Sequence, residues 1–201
     1  MIWSPENKER ARRFIKANRL PKLMPGWIAL GIDPAVNHTG LSWYFGGIKS
    51  GTGTLKSLAF PSGELKNRMR DVLFVRPVSR ALLIVEGTPK SHVNNGVDRL
   101  VRSAKAVLPP DSVIRYVPPT RWQRELLTRG GGPIKQRACE FAIATPEIHW
   151  SKARIKQWLD KQENDASDAA CLLFYSLVCT RLPSEAVREF GAPWEQGQNG
   201  Q

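Results

Sequence analysis

The sequence predicts one α/β domain, and three observations predict it. Two short runs, Ile28–Asp33 and Ala81–Glu86, are apolar or glycine throughout until each ends in an acid. Strands covered on both faces read that way. Segments with apolar residues at helical spacing lie between and after them, which builds crossover connections over a sheet with helices on both faces. A chain of 201 residues, 41% hydrophobic and 24% charged, suits a single domain with a sizeable core. No internal repeat or linker divides it.

The elements follow in order. Ser4-Pro5 offers a helix cap and a first-turn proline, and Pro21 and Pro25 end that helix. Over residues 4–22, Lys8, Arg10, Arg12, Arg13, Lys16, Arg19 and Lys22 outnumber Glu6 and Glu9. The segment is either a basic arm on phosphates or a solvated helix face. Ile28–Asp33 is the first strand and Leu41–Phe45 the second. Gly46-Gly47 turns the chain into a third strand around Gly51–Leu58, weakened by its glycines. Leu65, Met69, Val72 and Leu73 place a helix over Glu64–Val75. Beyond the Ala81–Glu86 strand, Val97, Leu100, Val101, Ala104 and Leu108 place another over Val93–Leu108. Ser112–Val117 is a strand stopped by Pro118-Pro119, and Thr120 caps a short helix through Leu127. Gly130-Gly131-Gly132 is a break before a helix over Ile134–Ala144, and the last helix runs from about Asn164 to Arg181. The expected organisation is a basic extension over 1–26, a core domain over 27–182 and a disordered tail over 183–201.

Composition narrows the partners. The net charge is +12 and the pI about 10.1, which points to a polyanion, nucleic acid before an anionic membrane. Cys139, Cys171 and Cys179 form no C-x-x-C pair, so they read as buried thiols in a reducing compartment, and a zinc site is disfavoured. The start of the chain lacks the apolar segment of a secretory signal, and no stretch is long and apolar enough to span a bilayer. The expected location is the cytoplasm, with no membrane partner.

The handedness of crossover connections sets the Ile28–Asp33 and Ala81–Glu86 strands side by side and parallel. Asp33 and Glu86 then lie at one sheet edge, with strands about 4.8 Å apart. Asp165 and Asp168 are three apart at the start of an apolar helix, hence on one face of it. Each acid has a bland alternative. Asp33 can close an Asx turn, Asp165 and Asp168 can complement the helix dipole, and Glu86 can belong to a Glu-Gly-Thr-Pro turn. Together they form a carboxylate cluster suited to a hard cation, Mg²⁺ or Mn²⁺. Carboxylate-bound metal in a basic protein is the chemistry of phosphodiester hydrolysis. His38 and His92 can approach a phosphate, while His149, between Ile148 and Trp150, reads as structural.

These motifs resemble the RuvC-type Holliday junction resolvases of the RNase H-like superfamily, particularly the shorter phage versions, over roughly residues 27–181. Gly31-Ile32-Asp33-Pro34 followed by Thr39-Gly40 is similar to the family's first-strand motif. Ile84-Val85-Glu86-Gly87 resembles its strand-terminal Glu, and Asn164-Asp165-Ala166-Ser167-Asp168-Ala169-Ala170 its final helix. The resemblance implies an RNase H-like mixed sheet of about five strands. It implies Asp33, Glu86, Asp165 and Asp168 as ligands of two Mg²⁺ ions per site, for which Mn²⁺ can substitute. It also implies paired symmetric nicks in four-way DNA, leaving 5′-phosphate and 3′-hydroxyl ends. Two sites related by a twofold axis imply a homodimer, with Val93–Leu108 as its contact by analogy. The family carries a Pro, a short helix, a Gly turn and a Lys before its last helix. Pro118–Arg124 and Gly130–Gly132 with Lys135 look like that stretch, making Lys135 the catalytic cation and Arg124 a phosphate contact. Residues 99–137 are in any case the densest basic stretch of the core. Arg99, Arg102, Arg121, Arg124, Arg129 and Arg137, with Lys90 and His92, are the candidate DNA contacts.

Two departures bear on the substrate. The loop Gly87–Asn95 has no Phe or Tyr where well-studied members place an aromatic wedge, and the basic extension lies outside the family core. Other branched DNA, such as flaps and three-way forks, is the alternative substrate, and a non-cleaving nucleic-acid binder is a further one. An ATP-hydrolysing relative of the actin and sugar-kinase fold would need a second glycine-rich phosphate loop. Gly51-Thr52-Gly53-Thr54 is the one candidate, and it comes too early.

Overall fold

The computed structural model of the chain describes residues 5–45, 54–88, 97–127, 133–149 and 165–189. Its elements are α1 (Pro5–Ala17), β1 (Lys22–Leu23), β2 (Trp27–Asp33), β3 (His38–Phe45), β4 (Leu55–Pro61), α2 (Leu65–Phe74), β5 (Arg80–Glu86) and α3 (Asp98–Lys105). They continue with β6 (Val113–Val117), α4 (Pro119–Leu126), α5 (Ile134–Ala144), β7 (Ile148–His149), α6 (Asp165–Cys179) and β8 (Val187–Glu189).

The main sheet has six strands in the order β6-β5-β2-β3-β4-β7. β2, β3 and β4 form an antiparallel meander, and β5 then β6 continue the sheet parallel to β2. Five of these strands were legible in the sequence. The sixth, β7, is two residues long and pairs in parallel with the start of β4, too short to show a period. The third strand begins at Leu55 and reaches Pro61, later than the glycine-bounded expectation around Gly51–Leu58.

Alternation along the strands divides the core into two layers. On one face, Ile28, Leu30 and Ile32 of β2 with Ala81, Leu83 and Val85 of β5 meet Leu65, Met69 and Val72 of α2 and Val101 and Ala104 of α3. On the other, Ala29, Tyr44, Leu82 and Ile84 meet α4, α5 and above all α6. From Ala166 to Cys179 every residue of α6 is buried. A helix apolar all round belongs inside a domain. Here the sheet covers one side of it and α4 and α5 the other.

Two segments expected to lie outside the core are joined to it. Ile15 of α1 is buried in the α6-side layer, and Phe14 meets Phe141 of α5 edge to face at 6.5 Å. β1 pairs with β8 in an antiparallel ribbon, so the chain beyond 183 continues as structure through Glu189. Neither contact has a sequence signature, because each depends on a partner more than 100 residues away. Among the described residues, no helix is long and apolar enough to cross a membrane.

Candidate metal and nucleic-acid site

β2 and β5 run in parallel with Ile32 opposite Val85, so Asp33 and Glu86 leave the sheet at the same level. Alternation puts Asp33 on the face of Ala29 and Gly31, and Glu86 on the face of Leu82 and Ile84. Both acids therefore project toward the layer that holds α6. The two carboxyls lie close enough for each to act on the other. Burial first, then the charge of Glu86, raises Asp33 well above the usual carboxylate range. Burial also raises Glu86, while hydrogen bonds from Asp33 and from the Trp122 indole pull it back.

The first turn of α6 supplies the second pair. Asp168 is 7% exposed, and its Oδ1 is buried without a hydrogen-bond partner. Burial, then the charge of Asp33, pushes its carboxyl up to about 8. Asp165 is more open, and its Oδ1 lies 3.6 Å from Nζ of Lys135 in the first turn of α5. Lys135 lowers Asp33, Glu86 and Asp168 alike. The four acids and the lysine that the sequence singled out thus lie within electrostatic reach of one another.

The sheet is shaped to receive this end of α6. A Cβ on Gly40 would stand 1.9 Å from the Asp165 carbonyl oxygen, and one on Gly31 would stand 2.8 Å from Cβ of Leu173. Two serines on the same face tie the helix down. Ser42 Oγ donates to the Ala169 carbonyl at 2.7 Å, and Ser57 Oγ to the Ala166 carbonyl at 2.5 Å. Each carbonyl has a second lone pair for such a bond beside its helical one. Glycines make room, serines set the height, and Asp165 and Asp168 arrive at the strand ends. The sequence presents Gly31 and Gly40 only as parts of a motif, and does not single out Ser42 and Ser57. Their role appears only once β2, β3 and β4 are in register.

Among the described residues, no three acid, His or Cys side chains are already gathered into a set that would hold an ion. The donor chemistry nevertheless fits a hard divalent cation. All the donors are carboxylate oxygens, one of them is a buried orphan, and their mutual repulsion is what a bound cation relieves. With its carboxyl pushed up to about 8, Asp168 must take up a proton when the chain folds at neutral pH, which costs stability above the ordinary carboxylate range and nothing below it. Asp168→Asn is therefore expected to raise the melting temperature of chelator-treated protein by several degrees near pH 7, and to lose that advantage below about pH 4. Calorimetric scanning in EDTA checks this, and a lower melting temperature would mean that the carboxylate is satisfied in some other way.

The remaining cations are spread more widely. Arg121 and Arg124 are exposed on α4, whose buried side carries Trp122 and Leu126. Arg137 is half-buried on α5, close behind Lys135. Arg99 and Arg102 are exposed on α3, on the opposite layer, and Arg102 pairs with Asp98 at 2.5 Å. The structure does not gather these two with the acids. Lys90, His92 and Arg129, with the Gly130–Gly132 break, lie outside the described residues. His38 is exposed at the start of β3, and His149 is exposed in the edge strand β7.

An antiparallel meander whose first strand is followed in the sheet by two parallel strands, with the acids at the ends of the first and the fourth, decides the architecture. The fold is RNase H-like. Solved structures similar to it include Thermus thermophilus RuvC in complex with Holliday junction substrate, at 14% identity and a TM-score of 0.45, covering 80% of this chain and 98% of that one. Fowlpox virus resolvase with Holliday junction DNA is similar at 13% identity and a TM-score of 0.48, covering 75% and 96%. The yeast mitochondrial Holliday junction resolvase is similar at 11% identity and a TM-score of 0.42, covering 85% and 84%. No protein-family model matches the chain, and no curated protein matches its sequence significantly.

Proposed function

We propose that this chain is a divalent-metal-dependent endonuclease that resolves Holliday junctions by paired symmetric nicks. The observation that carries the reading is the buried Asp168 carboxylate with its unpartnered oxygen, within electrostatic reach of Asp33, Glu86 and Asp165 and beside Lys135. Two Mg²⁺ ions, or Mn²⁺ in their place, held by these four acids would supply an activated water and a counter-charge for the leaving 3′ oxygen.

The chain's own residues do the rest. Asp33 and Glu86 approach from the sheet and Asp165 and Asp168 from the helix, so the ligands are set on rigid elements. Lys135 is exposed enough to leave Asp165 for a scissile phosphate, because an open ion pair at 3.6 Å holds it weakly. It would then stabilise the charge that develops as the phosphodiester is cut. Arg121, Arg124 and Arg137 on the neighbouring helices extend the positive surface along the DNA backbone. In this reading Lys90, His92, Arg99, Arg102 and Arg129 contribute further contacts. The protein acts as a homodimer in the cytoplasm of a bacterium or a phage-infected host, in recombination and repair.

The test is a cleavage panel in Mg²⁺ with four-way, three-way, flap and linear duplex DNA. Symmetric nicks in the four-way junction with 5′-phosphate ends are expected. Cleavage confined to flaps or forks would reassign the substrate, which the missing aromatic wedge after Glu86 leaves room for. Silence on every substrate would reduce the chain to a binder. Junction binding should also weaken by orders of magnitude between about 50 and 200 mM salt if 6–10 phosphates are neutralised, as fluorescence anisotropy would show.

A further inference from the structure

We propose that Trp122 is a positioning residue for the metal site, its indole N–H holding the Glu86 carboxylate in the one orientation that meets the cation. The inference rests on the nuclease reading above. Trp122 is fully buried, and its Nε1 donates to Glu86 Oε1 at 2.8 Å. An indole N–H can only donate, and a bond to an ionised carboxylate is roughly twice as strong as one to a neutral acceptor.

Local geometry makes the contact. Glu86 is the register partner of Val117, and the Gly87 amide donates to the Val117 carbonyl at 2.9 Å, so pairing continues to the tip of β5. Pro118 is extended and Pro119 starts α4 at once. That brings Trp122, early in the helix, back over the end of the neighbouring strand. The ring is held in the core layer that includes Leu126 and Phe174. Glu86 is thus a flexible acid at a strand end, bonded to a ring that the core holds still. Fixing it beforehand removes rotamer freedom that the cation would otherwise have to restrict. Partners of ligating carboxylates act this way in metal sites generally, at about 10–100-fold in metal affinity or activity.

The bland alternative is a buried tryptophan that took the nearest acceptor. It predicts lost stability and nothing else. The two are separated with Trp122→Phe in the full chain, which keeps a six-membered aromatic ring and removes the N–H together with the fused five-membered ring. Titration calorimetry with Mg²⁺ alone should show binding weakened about tenfold or more. The Mg²⁺ concentration for half-maximal cleavage should rise in parallel, saturating Mg²⁺ should restore most of kcat, and junction affinity in EDTA should stay unchanged. Unaltered Mg²⁺ affinity in folded Trp122→Phe overturns the proposal. If that variant does not fold by circular dichroism, benzothienylalanine at position 122 gives the same comparison, with sulfur in place of the N–H. A wild-type chain that binds no Mg²⁺ overturns the nuclease reading and this proposal with it. Wild-type binding with an unchanged variant overturns this proposal alone.

Discussion

Asp33→Asn is expected to lower junction cleavage about a thousandfold or more, a rise on the order of 4 kcal/mol in the barrier, while binding persists. The substitution keeps the shape of the side chain at the tip of β2. It replaces an anionic oxygen donor with a neutral amide at the point where the sheet pair and the helix pair meet. After burial, the charge of Asp33 is the largest influence on Asp168, and Asp33 and Glu86 act on each other. Neutralising it therefore also relieves repulsion between the acids, and should leave the fold as stable as before or more so. Burial and Glu86 already hold the Asp33 carboxyl well above the usual carboxylate range, so the substitution changes the charge of the site little without metal, and junction affinity in EDTA should be close to wild type. Cleavage in Mg²⁺ and anisotropy in EDTA give the two numbers. Wild-type cleavage by this variant would remove Asp33 from the machinery.

The second large effect is expected from a residue with no chemistry of its own. In Gly40→Ala the new Cβ would lie 1.9 Å from the Asp165 carbonyl oxygen, 2.5 Å from its carbonyl carbon and 3.0 Å from Cβ of Ala169. Two of these atoms are backbone and cannot rotate away, so α6 must lift or tilt. Overpacking of this kind costs about 1–3 kcal/mol, sometimes more, or some 2–12 °C in melting temperature for a chain of this size. Activity should fall further than stability, since a displacement of about 1 Å at a catalytic group can cost 10²-fold. Gly63→Ala is the matched control, because nothing lies within 4 Å of the Cβ it would add. Scanning calorimetry and cleavage on the pair test the idea. If Gly40→Ala melts and cuts like Gly63→Ala, close seating of α6 is not what positions its acids.

The site was legible in the sequence to the extent that its residues had no adequate structural excuse. A carboxylate ending Leu82-Leu83-Ile84-Val85 is poorly explained by packing, and two Asp residues three apart before an apolar helix share a face whatever else they do. Lys135 was legible only through its resemblance to a family motif, and the structure puts it 3.6 Å from Asp165. Trp122 was invisible as a partner of Glu86. Nothing in Arg121-Trp122-Gln123 says which acceptor a tryptophan 36 residues further on will find. Arg99 and Arg102 show the converse. Their positive charge is plain in the sequence, but it rides on α3, across the sheet from the acids.

The sequence by itself determined the α/β class, five of the six strands of the main sheet and the four acids. Those features are written in local periodicity and in residue types whose cost of burial is too high to be accidental. The tertiary structure alone decided how close α6 sits to the sheet, which serines tie it there and which indole reaches Glu86. It also decided that the first helix and residues 184–189 join the core. Each of these depends on register between segments distant in the chain, where a shift of one residue sends a side chain to the other face.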